Sequence, residues 1–190
     1  MDHMVSRRSE PQTQTLSREA WLKAARKALL LTGPSGVRVE SLARVLGVTK
    51  GSFYWHFRDR SELLAGLLAE WEAEEELLVT ALTATNRKDA IRAVFEEAGR
   101  RARTSERGDS PSDAAIFAWA MTDKTVARRV RKSEERRMQL LRELVGDGDL
   151  ADFFYYAYQG FLLRRRRVPE ASSDFEKILA TALRIVGTKG

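Results

Sequence analysis

Apolar residues recur three and four positions apart along most of this chain, and no stretch alternates residue by residue as a half-buried strand would. Trp21, Ala24, Ala25, Ala28 and Leu29 share one face of a first predicted helix over about Arg18 to Leu31, with Ser17 as its N-cap. Gly33, Pro34 and Gly36 stop it in a turn. Val39, Leu42, Ala43 and Leu46 line a second helix that Gly47 closes, because a left-handed residue carries no Cβ penalty there. Val48 then turns inward, and Thr49 caps a third helix in which Phe53 and Phe57 form a buried pair. Asp59 and Glu62 stand at capping-box spacing and open a long fourth helix, about Arg60 to Thr83.

The same periodicity predicts helices over about Lys88 to Arg103, Ala114 to Met121 and Lys124 to Val145, with a loop over Thr104 to Ser112 and a break at Gly146 to Asp149. Ile91, Val94 and Phe95 point inward in the first of these. Leu150, Phe153, Phe154, Ala157, Tyr158, Phe161 and Leu162 form the apolar stripe of the next helix. Phe175, Ile178, Leu179, Ala182, Leu183 and Val186 form that of the last, after Pro169. No internal repeat is present, and the expected fold class is all-α.

Composition narrows the function more than the fold. At 190 residues, with 43% hydrophobic and 32% charged residues, the chain suits a soluble helical protein rather than a disordered one. No apolar run is long enough to span a membrane, and no secretory leader is expected; the predicted location is cytoplasmic. The absence of cysteine removes disulfides and thiolate metal sites. Only His3 and His56 are available as imidazoles, and neither a phosphate-cradling glycine loop nor a paired-carboxylate motif is found. An enzyme, a metal site and a bound cofactor are therefore not expected.

Charge is placed unevenly. Residues 1–60 hold eleven Lys and Arg against five Asp and Glu, a surplus of six, whereas residues 61–190 hold twenty-two of each. The whole net charge of +6 lies in the segment that contains the short second and third helices. A polyanion partner for that segment is the physical reading, with solubility alone as the bland alternative.

A helix that reads the major groove must be short, anchored on one face and open on the other, with its N-terminus near phosphates. Leu42 to Phe57, LARVLGVTKGSFYWHF, meets those needs. Thr49 offers a hydroxyl at the helix start, Gly51 permits close approach, and Lys50, Ser52 and Tyr54 can bond phosphates or base edges. Arg58 and Arg60 add charge nearby, though a hairpin with a merely solvated polar face would share the outline.

Leu42, Ala43, Gly47, Val48, Gly51, Tyr54, His56, Phe57, Arg60, Glu62, Leu63 and Leu64 make the stretch more particular. Over about Ser17 to Leu64 the chain resembles the TetR family of transcriptional regulators. The resemblance implies a flexible arm over 1–16, a helix-turn-helix DNA-binding domain over 17–64, and an effector-binding and dimerisation domain over 65–190. It assigns Tyr54 to the DNA backbone and Arg60 to a phosphate, and turns Thr49, Lys50, Gly51 and Ser52 toward bases and phosphates. His56 stands near the backbone or makes a structural hydrogen bond. Arg38 replaces the Thr common at the second helix start, and Phe53 a smaller Leu. Arg44 and Trp55 complete the DNA-facing candidates. Arg7 and Arg8 reach a minor groove or belong to an uninvolved tail.

By the same resemblance the protein is expected to be a homodimer on a palindromic operator, with recognition helices about 34–36 Å apart. Its last two helices form the dimer contact, or else belong only to the monomer core. The expected behaviour is that of a repressor released by a small apolar or aromatic molecule, with a constitutive DNA-binding protein as the alternative. Phe95, Phe117, Trp119, Met121 and Tyr155 are the candidate effector-binding residues, although aromatics at helical spacing also build cores. The run Glu70 to Glu76 reads as a solvated face, and Arg164 to Arg167 as cations suited to a helix C-terminus.

Overall fold

The Ser17 hydroxyl accepts from the Ala20 amide at 3.3 Å and starts α1, Arg18–Thr32, as its sequence position predicts. This computed structural model describes residues 16–82, 87–168 and 174–187, with the backbone alone at 75–82, 87–88, 106 and 186–187. The arm carrying Arg7 and Arg8 lies outside the described residues. A 3-10 turn, Pro34–Gly36, leads to α2, Val39–Leu46, which ends on Gly47 at φ 70° and ψ 27°, the left-handed geometry expected of it. α3 is Lys50–Phe53.

α4, Arg60–Leu82, opens with the Glu62 amide donating to Asp59 Oδ1 at 2.9 Å. The Glu62 carboxylate accepts in return from the Arg58 amide at 2.8 Å, one residue upstream of the usual capping-box partner. α5, Arg87–Glu106, runs past the predicted end at Arg103. Thr104 and Ser105 bond back to the Arg100 and Ala102 carbonyls, so these hydroxyls ride on the helix instead of opening a loop. α6, Asp113–Ala120, is capped by Ser112, and α7, Lys124–Val145, by Asp123. Gly146 closes α7 and Asp147 caps α8, Gly148–Arg167, which shortens the expected four-residue break to two. α9 is Asp174–Gly187. Among the described residues every regular element is helical, and none is long and apolar enough to cross a membrane.

Two apolar clusters hold these helices. In the first, Trp21 meets Phe53 edge-on at 5.2 Å, and Phe53 stacks on Phe57 at 5.3 Å. That cluster continues through Leu63, Leu67 and Trp71 of α4 into Ile116 and Trp119 of α6 and Val126 of α7. The core therefore runs through the expected boundary at 64–65, because α4 spans it. The second cluster joins Ile91 and Phe95 of α5 to Leu141 of α7, Phe154 and Phe161 of α8, and Phe175 of α9.

Buried charge ties the first half of the chain to the second. Arg26, buried in α1, donates to Glu19 at 2.6 Å, to Glu70 at 2.7 Å and to the Gly108 carbonyl at 2.9 Å. Arg129 of α7 takes Glu72 through two bonds, at 2.8 and 2.6 Å. Glu74 lies 3.5 Å from Arg101. Glu70, Glu72 and Glu74 are thus cross-links between helices rather than the solvated face expected of this run. The α8 stripe also divides, since Phe153 is exposed while Phe154, Phe161 and Leu162 are buried.

Candidate nucleic-acid interface

The Gly47 turn holds α3 against α2, with the Val48 amide on the Ala43 carbonyl at 3.0 Å. Thr49 stands at the N-cap position but its hydroxyl makes no capping bond. Phe53 and Phe57 anchor the inner side. The helix stops at Phe53, so Tyr54, Trp55 and His56 lie in the turn beyond it and not on a longer recognition helix. The His56 amide bonds the Phe53 carbonyl at 2.9 Å within that turn. Tyr54 is 55% exposed and Trp55 83% exposed, unusual for aromatics in a folded monomer unless a partner covers them.

Thr49, Lys50, Gly51 and Arg44 also stand on exposed positions, with nothing nearer to a Cβ at Gly51 than Thr49 Oγ1 at 3.6 Å. Ser52 differs from expectation: its hydroxyl is buried and makes no hydrogen bond, so it does not face outward. A groove of about 490 Å³ is lined by Arg38, Glu40, Lys50, Tyr54, Asp59 and Arg60. Across it Lys50 donates to Glu40 at 2.6 Å. That bond raises the Lys50 ammonium above its ordinary value and holds the Glu40 carboxyl below its own.

Arg60 needs a correction as a simple phosphate arm. Its Nε donates to the Val37 carbonyl at 2.6 Å and its Nη2 to the Pro34 carbonyl, so the guanidinium braces the turn between α1 and α2. The Pro34 carbonyl accepts there from both Arg60 and the Val37 amide, the latter at 3.2 Å.

The family model for tetR-family bacterial regulatory proteins matches residues 22–67, the stretch that contains this groove. Over those residues the chain is similar to the TetR family. The regulator TtgR of Pseudomonas putida is 30% identical over 88 residues, 46% of this chain and 41% of that protein. AcrR of Shigella flexneri is 31% identical over 71 residues, 37% of this chain and 31% of AcrR. The chain thus spans less than half the length of these curated relatives. The fold extends further. A TetR-family regulator from Streptomyces coelicolor superposes with a TM-score of 0.68 at 19% identity, covering 89% of this chain and 95% of that one. One from Agrobacterium tumefaciens reaches 0.71 at 18% identity, over 88% and 95%. These relatives are regulators, not enzymes.

The five aromatic and sulfur side chains expected to bind an effector are divided between the two apolar clusters and the exposed end of α6. Phe95 packs on Phe154 at 5.5 Å in the second cluster, and Trp119 belongs to the first. Phe117 meets Trp71 edge-on at 6.2 Å. Tyr155 donates to Glu134 at 2.6 Å, and Met121 is 87% exposed at the end of α6. Helical spacing alone does not separate core from ligand wall, and here the aromatic rings are mainly core.

A partly open cavity lies where α1, α5, α6 and α8 converge, and its wall combines charged and apolar side chains. Asp113 sits there as a hub, accepting from Trp71 Nε1 at 2.7 Å, Arg137 at 3.1 Å and Tyr158 at 2.7 Å. Burial and the Asp113 charge push the Tyr158 hydroxyl well above its ordinary value, which keeps it a neutral donor. Arg101, Asp113 and Tyr158 line this cavity, which helical periodicity does not announce. The one signal was a polar residue interrupting an apolar helical face, which Tyr158 gives within the α8 stripe.

Proposed function

We propose that this protein is a DNA-binding transcriptional regulator that grips a palindromic operator as a homodimer and represses until a small molecule releases it. The exposed Tyr54 and Trp55 beside the uncapped Thr49 hydroxyl carry this reading, because they leave a helix N-terminus and two rings facing solvent within the family's matched region. Thr49 and the α3 N-terminal amides meet phosphate, Lys50 and Arg44 add charge, and Tyr54 bonds the backbone. Arg38 lies at the groove's edge for an ionic contact.

For the dimer, the outer side of α8 supports a two-fold contact. Phe153, Tyr156 and Leu163 are exposed on it, and Gly160 between them has open space where a Cβ would stand. α9 packs against α8 and completes the bundle that two chains would form. Release follows when a ligand favours a spacing of the two heads that fits the operator poorly, at a coupling of about 1–3 kcal/mol. Selection of bound duplexes from a random pool tests the reading. A palindrome with half-sites one helical turn apart is expected, and no enrichment at moderate ionic strength would refute it.

A further inference from the structure

We propose that the cavity between α1, α5, α6 and α8 is the effector site, and that it takes a small carboxylate with a short apolar body. This rests on the reading of the protein as a ligand-released regulator. The cavity measures about 350 Å³, within the range that holds small ligands.

Charge and hydrogen bonding select the ligand class. Three arginines, Arg101, Arg165 and Arg166, line the cavity against one carboxylate, Asp113. Both oxygens of Asp113 are already taken, by Trp71, Arg137 and Tyr158. Arg101 is in the opposite condition. Its side chain is 4% exposed, and its Nε and Nη2 make no hydrogen bond. Nη2 stands 3.5 Å from Glu74 and 3.7 Å from Asp113, near enough for charge attraction but without a bonded acceptor. Leaving guanidinium donors unmet in a buried place is costly, and Nε with Nη2 forms the edge that receives two carboxylate oxygens side by side. α6 starts at this wall with Ser112 as its cap, and its N-terminal dipole adds to the preference for an anion. Leu30, Leu31 and Leu162 supply an apolar wall for the rest of the molecule.

The position also explains how binding would reach DNA. Leu30 belongs to α1, and Arg166 of α8 donates to its carbonyl at 3.3 Å and to the Ala114 carbonyl of α6 at 3.2 Å. An anion in the cavity competes for Arg166 and loosens this three-helix clasp. α1 then shifts relative to α8, and α1 and α2 carry α3 with them.

Thermal unfolding of the full chain at constant ionic strength tests the assignment, with benzoate and hexanoate as probes, benzamide and hexanamide as neutral counterparts, and inorganic phosphate as a second anion. The expected result is a rise in Tm with a carboxylate, none with its amide, and less with phosphate. Arg101→Gln should weaken carboxylate binding tenfold or more. Ala114→Leu, which fills the cavity and keeps every charge, should do the same and covers the case in which Arg101→Gln does not fold. No protection by either carboxylate, equal protection by amide or phosphate, or an undiminished response in a folded variant would overturn the proposal. Duplex binding measured without carboxylate separates the two readings. Binding to DNA without carboxylate protection removes the cavity assignment alone, and protection without DNA binding removes the regulator reading alone.

Discussion

Lys50 Nζ and Glu40 Oε1 are 2.6 Å apart, joining the reading helix to the helix before it. Both side chains are exposed, so the pair is held weakly and a phosphate can take Lys50 from it. Glu40→Gln removes the competitor. Operator affinity should rise at low salt, and if Lys50 then adds a phosphate contact the slope of log K against log salt should steepen by about one unit. An unchanged slope would show that Lys50 does not reach the DNA backbone.

Tyr54→Phe keeps the ring and removes the hydroxyl. Operator binding should weaken by about 1 kcal/mol, the worth of one hydrogen bond. Equal affinity at fixed salt would take the hydroxyl out of the interface.

Arg60→Ala should act first on stability. The Val37 carbonyl loses its side-chain donor and the Pro34 carbonyl keeps only the Val37 amide, at a cost of about 1–3 kcal/mol in chemical denaturation. The salt slope of DNA binding should change by less than one unit. A full unit lost with stability intact would instead return the guanidinium to a phosphate.

The Glu72 carboxylate is held below its ordinary value of 4.5 by its hydrogen bonds from Arg129. An acid lowered by folding stabilises above its unfolded pKa and loses that contribution as pH falls through the folded one. Glu72→Gln should therefore destabilise by about 1 kcal/mol or less at neutral pH, the pair being partly exposed. The difference from the parent protein should fade below pH about 4. Denaturation curves for both proteins across that range provide the check, and a gap that widens toward acid would exclude the pair as its source.

Leu163→Glu places a charge on the outer side of α8, where the native residue is 64% exposed in the monomer. Sedimentation should give a folded monomer by circular dichroism. A folded dimer would move the interface elsewhere. Leu179 on α9 is less discriminating, since it also packs on the monomer's second cluster.

Periodicity and capping chemistry made most of the fold legible. Ser17, Gly47 and Gly146 act locally, through a side-chain bond or a positive φ, and each ends or begins a helix where the sequence places it. The twelve motif positions between Leu42 and Leu64 identified the DNA-binding region for the same reason, since turn and short helix are specified by near neighbours. α3 is shorter than its spacing suggests, because Tyr54, Trp55 and His56 keep helical spacing but form a turn after Phe53.

Partners across the chain were not legible. Nothing local says that Glu70 meets Arg26, that Arg60 braces Pro34, or that Asp113 collects Trp71, Arg137 and Tyr158. Arg166 read as one more cation at a helix end, yet it clasps Leu30 from 136 positions away. The sequence by itself determined the helices, the groove-reading motif and the sign of its charge, since these depend on spacing and on residues a few positions apart. Only the tertiary structure decided which aromatics are core and which polar groups enclose a cavity. Burial and hydrogen-bond partnership are properties of packed neighbours, and packing brings distant residues together without leaving a periodic trace.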